Sequence, residues 1–453
     1  MNALTLSKIA AITGGQLVGA DVSVSAVCTD TRKLQTGDLF VALKGEHFDG
    51  NTFVAQAAAS GAGAALVNSP VDSLPCVVVA DSYRALGLVA REHRRHFAGP
   101  VMAITGSSGK TSTKEMLASI LRECGDTFAT KGNLNNEVGV PLSLLSMSTQ
   151  EQFAVIEMGA AKRGDIAYLC EFAEPTIALL TNAQAAHIQG FGSLQGVAET
   201  KGEIFQALGG KGVAIINADD QFSSLWQQLA GVAAQVRFGF NPATADVWAE
   251  DIVLSPNGGS EFRLVTPAGS ADVVLALPGR HMIANALAAA AAAQAAGASL
   301  AQISAGLGLV RPSDGRLSRR QVGGIQIIDD SYNANPGSVR AAIDVLSECD
   351  GRRILVLGAM AELGDEAERG HREVAQYAAS KGIDALFVTG EWAPMMAEKF
   401  GASAKAFADR ETLASALVQF VEGGDAVLIK GSRSAGMELV VSRLAQHLDG
   451  KGC

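Results

Sequence analysis

The segment of residues 101–117, VMAITGSSGKTSTKEML, constrains the fold of this chain more than any other. An apolar run that ends at Thr105 predicts a buried strand, and an amphipathic helix is predicted to begin at Lys110. A short loop of glycine and serine joins them. The backbone N–H groups of such a loop and the positive end of the helix converge on one point, which suits a polyphosphate. This order of strand, small-residue loop and helix predicts a nucleotide-binding loop, and ATP is the nucleotide that we expect.

The loop is a shortened variant of the common phosphate-binding pattern. That pattern has a glycine five positions before Gly109, where this chain has Ile104. Lys110 can reach the β- and γ-phosphates of a nucleotide, and the Thr111 hydroxyl can hold Mg²⁺. The alternative is a glycine-serine turn before an ordinary helix. The candidate nucleotide-binding residues, called the phosphate loop below, are Thr105, Gly106, Ser107, Ser108, Gly109, Lys110, Thr111 and Ser112.

Buried apolar runs alternate with helical patterns along most of the chain, which predicts an α/β fold with a mostly parallel central sheet. Central strands are predicted at 101–105, 153–158, 176–181 and 212–217, with antiparallel hairpins within 235–278. A smaller, Rossmann-like layer is predicted from strands at 325–328, 353–357, 385–388 and 426–429. The three predicted domains are residues 1–98, 99–310 and 311–453.

Composition excludes several classes of protein. Of 453 residues, 48% are hydrophobic and 18% are charged, and no apolar run approaches the roughly 20 residues of a membrane span. The longest such run, 284–296, is mostly alanine and predicts a tightly packed helix. The net charge of −10 and the lack of a long basic tract argue against nucleic acid and anionic membranes as partners. Six widely spaced cysteines and no cleavable export signal lead us to expect a cytoplasmic protein.

Two polar residues follow predicted central strands, at the edge where open α/β sheets bind ligands. Glu157 ends the second strand, where a buried carboxylate needs a cation, and beside a phosphate loop the obvious cation is Mg²⁺. Its alternative role is to cap the next helix or to pair with a lysine. His187, six residues after the third strand, can ligate a metal or hold a phosphate oxygen, although a single loop histidine is more often exposed or structural.

Lys201 and the loop of residues 131–141 each have a functional and a structural interpretation. A bare ammonium repels Mg²⁺, so Lys201 either reaches a phosphate, loses its charge or is an ordinary solvated lysine. The amides of Asn133, Asn135 and Asn136 suit hydrogen bonds to sugar hydroxyls and pyrophosphate oxygens. The alternative is turn chemistry, because asparagine tolerates left-handed backbone conformations.

Further candidates lie late in the central unit and in the third unit. Asn285 is a polar residue inside an alanine-rich helix. Arg316, in Asp-Gly-Arg at the junction of the two units, could close over a phosphate. Asp330 ends the first strand of the third unit and can accept hydrogen bonds from ribose hydroxyls. The sequence Lys-Gly-Ser-Arg after a later strand places two cations, Lys430 and Arg433, at the carboxyl edge of a sheet.

Taken together, these motifs resemble one family, the muramyl ligases of peptidoglycan synthesis. The resemblance covers essentially the whole chain. It is carried by TDTRKLQTGDLFVALKGEHFDG, TGSSGKTSTK, KGNLNNEVGVPLSLL, EMGA, TNAQAAHIQGFGS, ETKGEIF, GRHMIANALAAA, DGRL, DDSYNANPGS, AELGD and KGSRSAGME. Among them, DDSYNANP and KGSRSAGME are similar to the members that add D-alanyl-D-alanine to UDP-N-acetylmuramoyl-tripeptide.

The resemblance implies a monomeric, three-domain, ATP-dependent amide ligase that works through an acyl-phosphate intermediate, with these two substrates as its partners. It implies two Mg²⁺ ions, one held by Thr111 and Glu157 and the other by His187 and Lys201. Lys201 matches a lysine that CO₂ converts into a carbamate, which is an anionic oxygen ligand. The catalytic residues that it implies are Lys110, His187, Lys201, Asn285 and Arg316.

The same resemblance assigns residues to the substrates. Asn285, Arg316 and Asp330 match residues that hold adenine, ribose and the phosphates, and the N-terminal unit would hold the uridine nucleotide. The residues implied to bind the muramyl peptide and the dipeptide are Asp30, Thr31, Arg32, Lys44, Gly45, Asn133, Asn135, Asn136, Lys430, Ser432 and Arg433. The chain departs from the usual pattern at Met282, Ala359 and Asp314, where members commonly have Asn, Asp and Pro.

Three other functions share parts of this pattern. A folylpolyglutamate synthase has the same ATP core and ligase chemistry but should lack the N-terminal segment TDTRKLQTGDLFVAL. A nucleotide-switched binding module would hydrolyse ATP slowly and form no product. A kinase with a phosphate loop would leave the phosphate on its product, whereas a ligase releases it.

Overall fold

The computed structural model describes residues 1–45, 48–185, 188–255 and 258–449. Within these residues the chain forms successive α/β units with mostly parallel sheets, so the predicted fold class is confirmed. None of the described helices combines the length and the apolar character needed to cross a bilayer.

The N-terminal unit is built on a five-stranded sheet. Its elements are β1 (Leu4–Thr5), α1 (Leu6–Thr13), β2 (Gln16–Val18), β3 (Ser23–Val24), β4 (Val27–Cys28), β5 (Leu39–Val41), α2 (Val54–Ala59), β6 (Ala64–Val67), β7 (Cys76–Val78) and α3 (Ser82–Arg94). The strand order is β2-β7-β6-β5-β4, and only the β2–β7 pair is antiparallel. β1 and β3 pair with each other in a separate ribbon.

The central unit is built on a six-stranded, fully parallel sheet in the order β13-β12-β11-β8-β10-β9. Its elements are β8 (Val101–Thr105), α4 (Lys110–Arg122), β9 (Thr127–Ala129), α5 (Gly139–Ser146), β10 (Phe153–Glu157), α6 (Asp165–Ala173), β11 (Ile177–Leu180), α7 (Ile188–Phe191), α8 (Leu194–Gln206), β12 (Val213–Asn217), α9 (Ser223–Ala230) and β13 (Ala234–Phe238). The four predicted central strands are β8, β10, β11 and β12, so that prediction is confirmed.

An antiparallel sheet and two helices complete the central unit: β14 (Trp248–Leu254), β15 (Ser260–Thr266), β16 (Gly269–Leu275), α10 (Arg280–Ala295) and α11 (Leu300–Leu309). The predicted hairpins are therefore present, but the prediction is wrong for the start of the 235–278 segment. That start belongs to β13, which pairs in parallel with β12. The reason is that α9 crosses over the sheet and returns the chain in the same direction.

The C-terminal unit is built on a second six-stranded sheet. Its elements are β17 (Ser318–Val322), β18 (Ile325–Asp330), α12 (Pro336–Ser347), β19 (Arg353–Leu357), α13 (Ala367–Ser380), β20 (Ala385–Thr389), α14 (Ala393–Phe400), β21 (Ala404–Phe407), α15 (Arg410–Phe420), β22 (Ala426–Lys430) and α16 (Glu438–Asp449). The order is β17-β18-β22-β19-β20-β21, and β17 is an antiparallel edge strand.

The alanine-rich helix α10 lies in the core, as its composition predicts. Every residue from 288 to 293 is buried, and the helix packs against α4, the helix that follows the phosphate loop. Small side chains let two helices approach closely and leave the helix apolar on all sides. Since α4 and α10 are rigid neighbours, residues at their N-terminal ends hold fixed positions beside the phosphate loop.

Replacing Gly87 by alanine is expected to destabilise the contact between the N-terminal and central units. An added Cβ on α3 would lie 2.5 Å from ring carbons of Phe172, which is fully buried on α6. The overpacking should cost about 1–3 kcal/mol, more than alanine gains in helix propensity. The midpoint of thermal denaturation measures the loss. Combining Gly87→Ala with Phe172→Leu should cost less than the sum of the single changes, and strict additivity would contradict this account.

Candidate functional site

A cleft of about 1410 Å³ lies between the central and C-terminal units. It is larger than the usual small-molecule pocket, so it has room for a nucleotide and part of a second substrate. The phosphate loop forms one wall. Polar side chains at or just beyond the carboxyl ends of five parallel strands line it from both sheets, which is where α/β sheets bind ligands: Glu157, Thr181, Asn217, Asp330 and Lys430.

The phosphate loop holds its lysine over its own backbone. Lys110 Nζ donates to the carbonyl oxygen of Gly106 at 2.7 Å. Gly109 has a φ of +82°, a conformation that favours glycine, and an added Cβ there would overlap the amide of Asn285. Burial lowers the pKa of Lys110, and the nearby charge of Arg316 acts in the same direction against that of Glu157. A phosphate in the loop would place a further anion beside this lysine.

Glu157 and Thr111 meet beside the phosphate loop. The Thr111 hydroxyl donates to Oε2 of Glu157 at 3.0 Å, and Asn135 Nδ2 donates to Oε1 at 2.8 Å. Glu157 is only 2% exposed. Lys114 Nζ lies 3.9 Å from Oε2 but donates to the carbonyl of Thr130 at 2.8 Å. The carboxylate therefore has an adjacent hydroxyl oxygen and a more distant ammonium group, and both the Mg²⁺ site and the pairing with a lysine stay predictions.

Arg316 reaches the phosphate loop from the C-terminal unit. Its Nη2 donates to the Thr111 hydroxyl at 3.1 Å. The guanidinium lies 4.0 Å from the ring centroid of Tyr332, and that stacking fixes its plane. A cation from the second unit thus faces the same point as Lys110.

Lys201 is a buried amine on α8. It is 2% exposed, and no hydrogen bond or ion pair joins its Nζ to another residue in the described part of the chain. The ring centroid of Phe191 lies 5.5 Å from Nζ. Burial, and then the charge of Lys110, hold the pKa of Lys201 well below its usual range. The interpretation as a solvated surface lysine does not fit this position. His187, its predicted partner, lies outside the described residues.

Asp330 and the buried Lys430 form an ion pair on neighbouring strands of the C-terminal sheet. Lys430 Nζ donates to Asp330 Oδ2 at 2.5 Å and to the carbonyl of Asn333 at 2.9 Å. Burial raises the pKa of Asp330, and the charge of Lys430 partly offsets this effect. Ser432 and Arg433 follow in the same loop and line the cleft.

Asn285 and the three unusual positions also lie near the cleft. Asn285 Nδ2 is 3.6 Å from the sulfur of Met282, which takes the place of a stronger acceptor. The carbonyl of Ala359 accepts from the backbone N–H of Ser432 at 3.0 Å. Asp314 lines the cleft beside Arg316.

The three asparagines of the 131–141 loop line the cleft, but they differ in role. Asn135 binds the Glu157 carboxylate, as noted above. Asn136 Oδ1 accepts from the N–H of Gly139 at 2.8 Å, which is turn chemistry at the start of α5. Asn133 offers its side chain to the cleft. The structural interpretation therefore applies to Asn136, whereas binding of sugar or pyrophosphate groups by this loop stays a prediction.

The five N-terminal candidates do not line this cleft. Arg32 Nε donates to Asp30 Oδ1 at 2.8 Å, and this hydrogen bond is the main reason that the pKa of Asp30 is lowered to about 2. Lys44 Nζ lies 3.7 Å from Asp49. Together with Thr31 and Gly45, these residues form a separate surface on the N-terminal unit.

Sequence reasoning missed four residues of the cleft. Burial, reinforced by the charge of Lys430, lowers the pKa of His281 to about 4, so its imidazole is neutral. Tyr332 stacks on Arg316, and Gln184 and Asn335 bond to the phosphate loop. All four lie within motifs already noted. Their side chains gave no signal of their own, because asparagine, glutamine, tyrosine and histidine are common in turns.

Comparison with known proteins agrees with this arrangement. The model "Mur ligase family, catalytic domain" matches residues 6–92, "Mur ligase middle domain" matches 104–293, and "Mur ligase, glutamate ligase domain" matches 315–433. The chain belongs to the Mur ligase family, whose members are ATP-dependent enzymes that form amide bonds. The resemblance drawn from the motifs is confirmed.

Individual relatives match along nearly their whole length. The UDP-N-acetylmuramoyl-tripeptide--D-alanyl-D-alanine ligase of Escherichia coli (strain K12) is 47% identical over 451 residues, which is 99% of each chain. The enzyme of that name from Haemophilus influenzae is 40% identical, covering 98% of this chain and 99% of the relative. Two solved structures are similar. MurF from Acinetobacter baumannii has a TM-score of 0.94 at 36% identity, with 98% and 99% covered. MurF from Thermotoga maritima in complex with ADP has a TM-score of 0.83 at 29% identity, and the match covers 94% of this chain and 99% of that one.

Proposed function

We propose that this chain joins D-alanyl-D-alanine to UDP-N-acetylmuramoyl-tripeptide at the expense of ATP, through an acyl phosphate, in the synthesis of peptidoglycan precursors. The observation that carries the proposal is the contact of Arg316 with Thr111, because it directs a cation of each unit at one phosphate site. The full-length similarity to ligases with these substrates supports the same conclusion. The domain limits, the monomeric state and the cytoplasmic location expected from the sequence belong to this proposal.

The chemistry follows from charge. A carboxylate is a poor electrophile for an amine, so an oxygen of the tripeptide carboxylate attacks the γ-phosphorus and the bond to ADP breaks. The amine of the dipeptide then attacks the acyl carbon, inorganic phosphate leaves and the nitrogen loses a proton. The first step brings several negative charges together. Lys110 and Arg316 offset that charge and hold the phosphates in line. The facing units exclude water that would hydrolyse the acyl phosphate.

The donor set beside the loop fits Mg²⁺. Thr111 and Glu157 offer a hydroxyl and a carboxylate oxygen, and Mg²⁺ usually takes one or two protein oxygens plus phosphates and water. When bound, the ion neutralises phosphate charge and polarises the γ-phosphoryl group. In the described part of the chain no three His, Cys, Asp or Glu residues form a metal cluster. A second ion is proposed to be held by His187 and Lys201, and an unmodified lysine offers it no oxygen ligand.

A carbamate on Lys201 would provide that oxygen ligand. The fit rests on a buried amine without an anionic neighbour in the described residues, which favours the neutral form. A neutral amine adds CO₂ and loses a proton, and the product carries a negative charge on oxygen. The buried site thereby exchanges a neutral amine for an anion that a metal can pair with.

The remaining candidates are proposed to hold the substrates. Asn285, Arg316 and Asp330 would contact the adenosine and phosphate parts of ATP. Asp30, Thr31, Arg32, Lys44 and Gly45 would bind the uridine nucleotide on the N-terminal unit, with Asn133, Asn135 and Asn136 nearer the reaction centre. Lys430, Ser432 and Arg433 would bind the dipeptide at the carboxyl edge of the C-terminal sheet.

Phosphate release tests this function. The enzyme is mixed with ATP, Mg²⁺, a UDP-muramyl tripeptide containing either meso-diaminopimelate or lysine, and D-alanyl-D-alanine or its L,L isomer. We expect phosphate only when a UDP-tripeptide and the D,D-dipeptide are both present, with a product heavier than the tripeptide by the dipeptide less water. Rapid ATP hydrolysis without either substrate, phosphate retained on the product, or ligation of a folate instead would contradict the proposal.

A further inference from the structure

Asn335 has two separate hydrogen-bonding partners, one local and one distant. It precedes α12, where its Oδ1 accepts from the N–H of Ser338 at 2.8 Å and its own N–H donates to Ser338 Oγ at 3.0 Å. This capping box uses only half of the side-chain amide. The other half, Nδ2, donates at 3.0 Å to Ser108 Oγ, 227 residues earlier in the phosphate loop. One buried side chain thus fixes the start of α12 and joins it to the loop.

The Ser108 hydroxyl also contacts a second loop, the one that contains Gln184. Its hydroxyl accepts from Asn335 and donates to Gln184 Oε1 at 2.9 Å, so both functions of the hydroxyl are used. The backbone of Gln184 is held by Ser107, whose Oγ donates to its carbonyl at 3.1 Å and accepts from its N–H at 2.9 Å. A displacement at Gln184 would therefore fall on its side chain rather than on its backbone.

The first turn of α12 packs directly on this side chain. A Cβ added to Gly337 would overlap the amide of Gln184, whose backbone is fixed. An alanine at this position would therefore displace the Gln184 amide from Ser108. The glycine has no other evident need, since it lies in a helix where alanine is preferred.

From these contacts we propose that Asn335 is a positioning residue that couples the C-terminal unit to the phosphate loop through Ser108 and Gln184. The proposal rests on nucleotide binding by that loop, which is part of the proposed function. A nucleotide di- or triphosphate that orders the loop stabilises the docked position of α12, and docking in turn strengthens nucleotide binding, because coupling between two sites is reciprocal. The three side chains are called the Ser108–Gln184–Asn335 relay.

Two variants break the relay without weakening α12. Asn335→Ser keeps a good N-cap but is too short to reach Ser108. Gly337→Ala raises the helix propensity of α12 but displaces Gln184. Gly308→Ala is the matched control, because this glycine lies in α11, where a Cβ would make only ordinary contact at 3.7 Å with the carbonyl of Val274.

The experiment measures the binding of ADP in the presence of Mg²⁺ and without the other substrates. Calorimetry gives the affinity, and amide hydrogen exchange gives the protection of residues 337–341. In the wild type and in Gly308→Ala, we expect ADP to slow exchange in this turn. In Asn335→Ser and Gly337→Ala, we expect ADP binding to weaken about three- to tenfold, as for loss of one hydrogen bond, and the ADP-induced protection to disappear. Combined with Ser108→Ala, Asn335→Ser should cause no further loss.

The other outcomes overturn the proposal in different ways. Unchanged ADP affinity and protection in both variants, or additive losses with Ser108→Ala, would show that the relay carries no coupling. Fast exchange of the α12 turn in Asn335→Ser before ADP is added would show a purely local capping role. Failure of the wild type to bind ADP would overturn both this proposal and the proposed function. Binding of ADP with the same affinity in the wild type and in both variants would overturn the relay alone.

Discussion

Replacing Lys110 by methionine is expected to lower kcat/KM for ATP about a thousandfold. Methionine has nearly the length of lysine but no charge, so the acyl-phosphate step would proceed with one cation fewer on the phosphate loop. Phosphate release with saturating tripeptide and dipeptide measures the loss. Lys399→Met is the control, because Lys399 lies on α14 outside the cleft and pairs with its neighbour Glu398. A Lys110→Met enzyme that turns over at the wild-type rate would refute the role of this loop.

The same variant is expected to keep its stability. Burial lowers the pKa of Lys110, so the folded state disfavours the charge that the unfolded chain carries. Below the lowered pKa this penalty is present in full, and it fades as pH rises towards the usual value of 10.5. Methionine removes the penalty. Thermal denaturation should therefore show a variant at least as stable as the wild type near neutral pH, with the difference shrinking as the pH approaches 10.

Replacing Lys201 by alanine is expected to lower ligation about a hundred- to a thousandfold, since it removes the carbamate and with it an oxygen ligand for the second metal ion. Acetate or formate should restore part of the activity of Lys201→Ala, because a small carboxylate fits the space left by the side chain and supplies the missing anion. Lys201→Met is the matched control: its side chain fills that space, so the acids should not restore it. Phosphate release at several acid concentrations measures the rescue.

Two results would remove the carbamate from the mechanism. One is a Lys201→Ala enzyme that is active without added acid, and the other is equal rescue of the alanine and methionine variants. For the wild type, the direction in which the recovery of activity depends on pH can also be predicted. Burial lowers the pKa of Lys201, so the amine is neutral and able to add CO₂ at a lower pH than an exposed lysine. In CO₂-free buffer, activity should return on addition of bicarbonate, and it should return more slowly as the pH falls.

Local patterns were sufficient to predict the elements that form the phosphate loop. The strand, the loop and the start of α4 are consecutive in sequence, and each is specified by its own residues: an apolar run, glycines and a helix-forming segment. Glu157 was predicted for a similar reason, because the end of a parallel strand lies at the ligand-binding edge whatever the rest of the sheet does. The sequence pattern gave the wrong pairing for β13, because a five-residue strand has the same pattern in an antiparallel hairpin and in a parallel sheet.

The sequence by itself determined the α/β class, the phosphate loop and the family, because these depend on neighbouring residues and on motif order. Only the tertiary structure decided which distant side chains meet: Arg316 with Thr111, Asn335 with Ser108, and Lys430 with Asp330. These partners are 100 to 227 residues apart. The first two contacts depend on how two sheets face each other across a cleft, and the third depends on the pairing of two strands within the C-terminal sheet. The same folding buries Lys201 away from any described anion. No spacing of residue types along the chain encodes that environment.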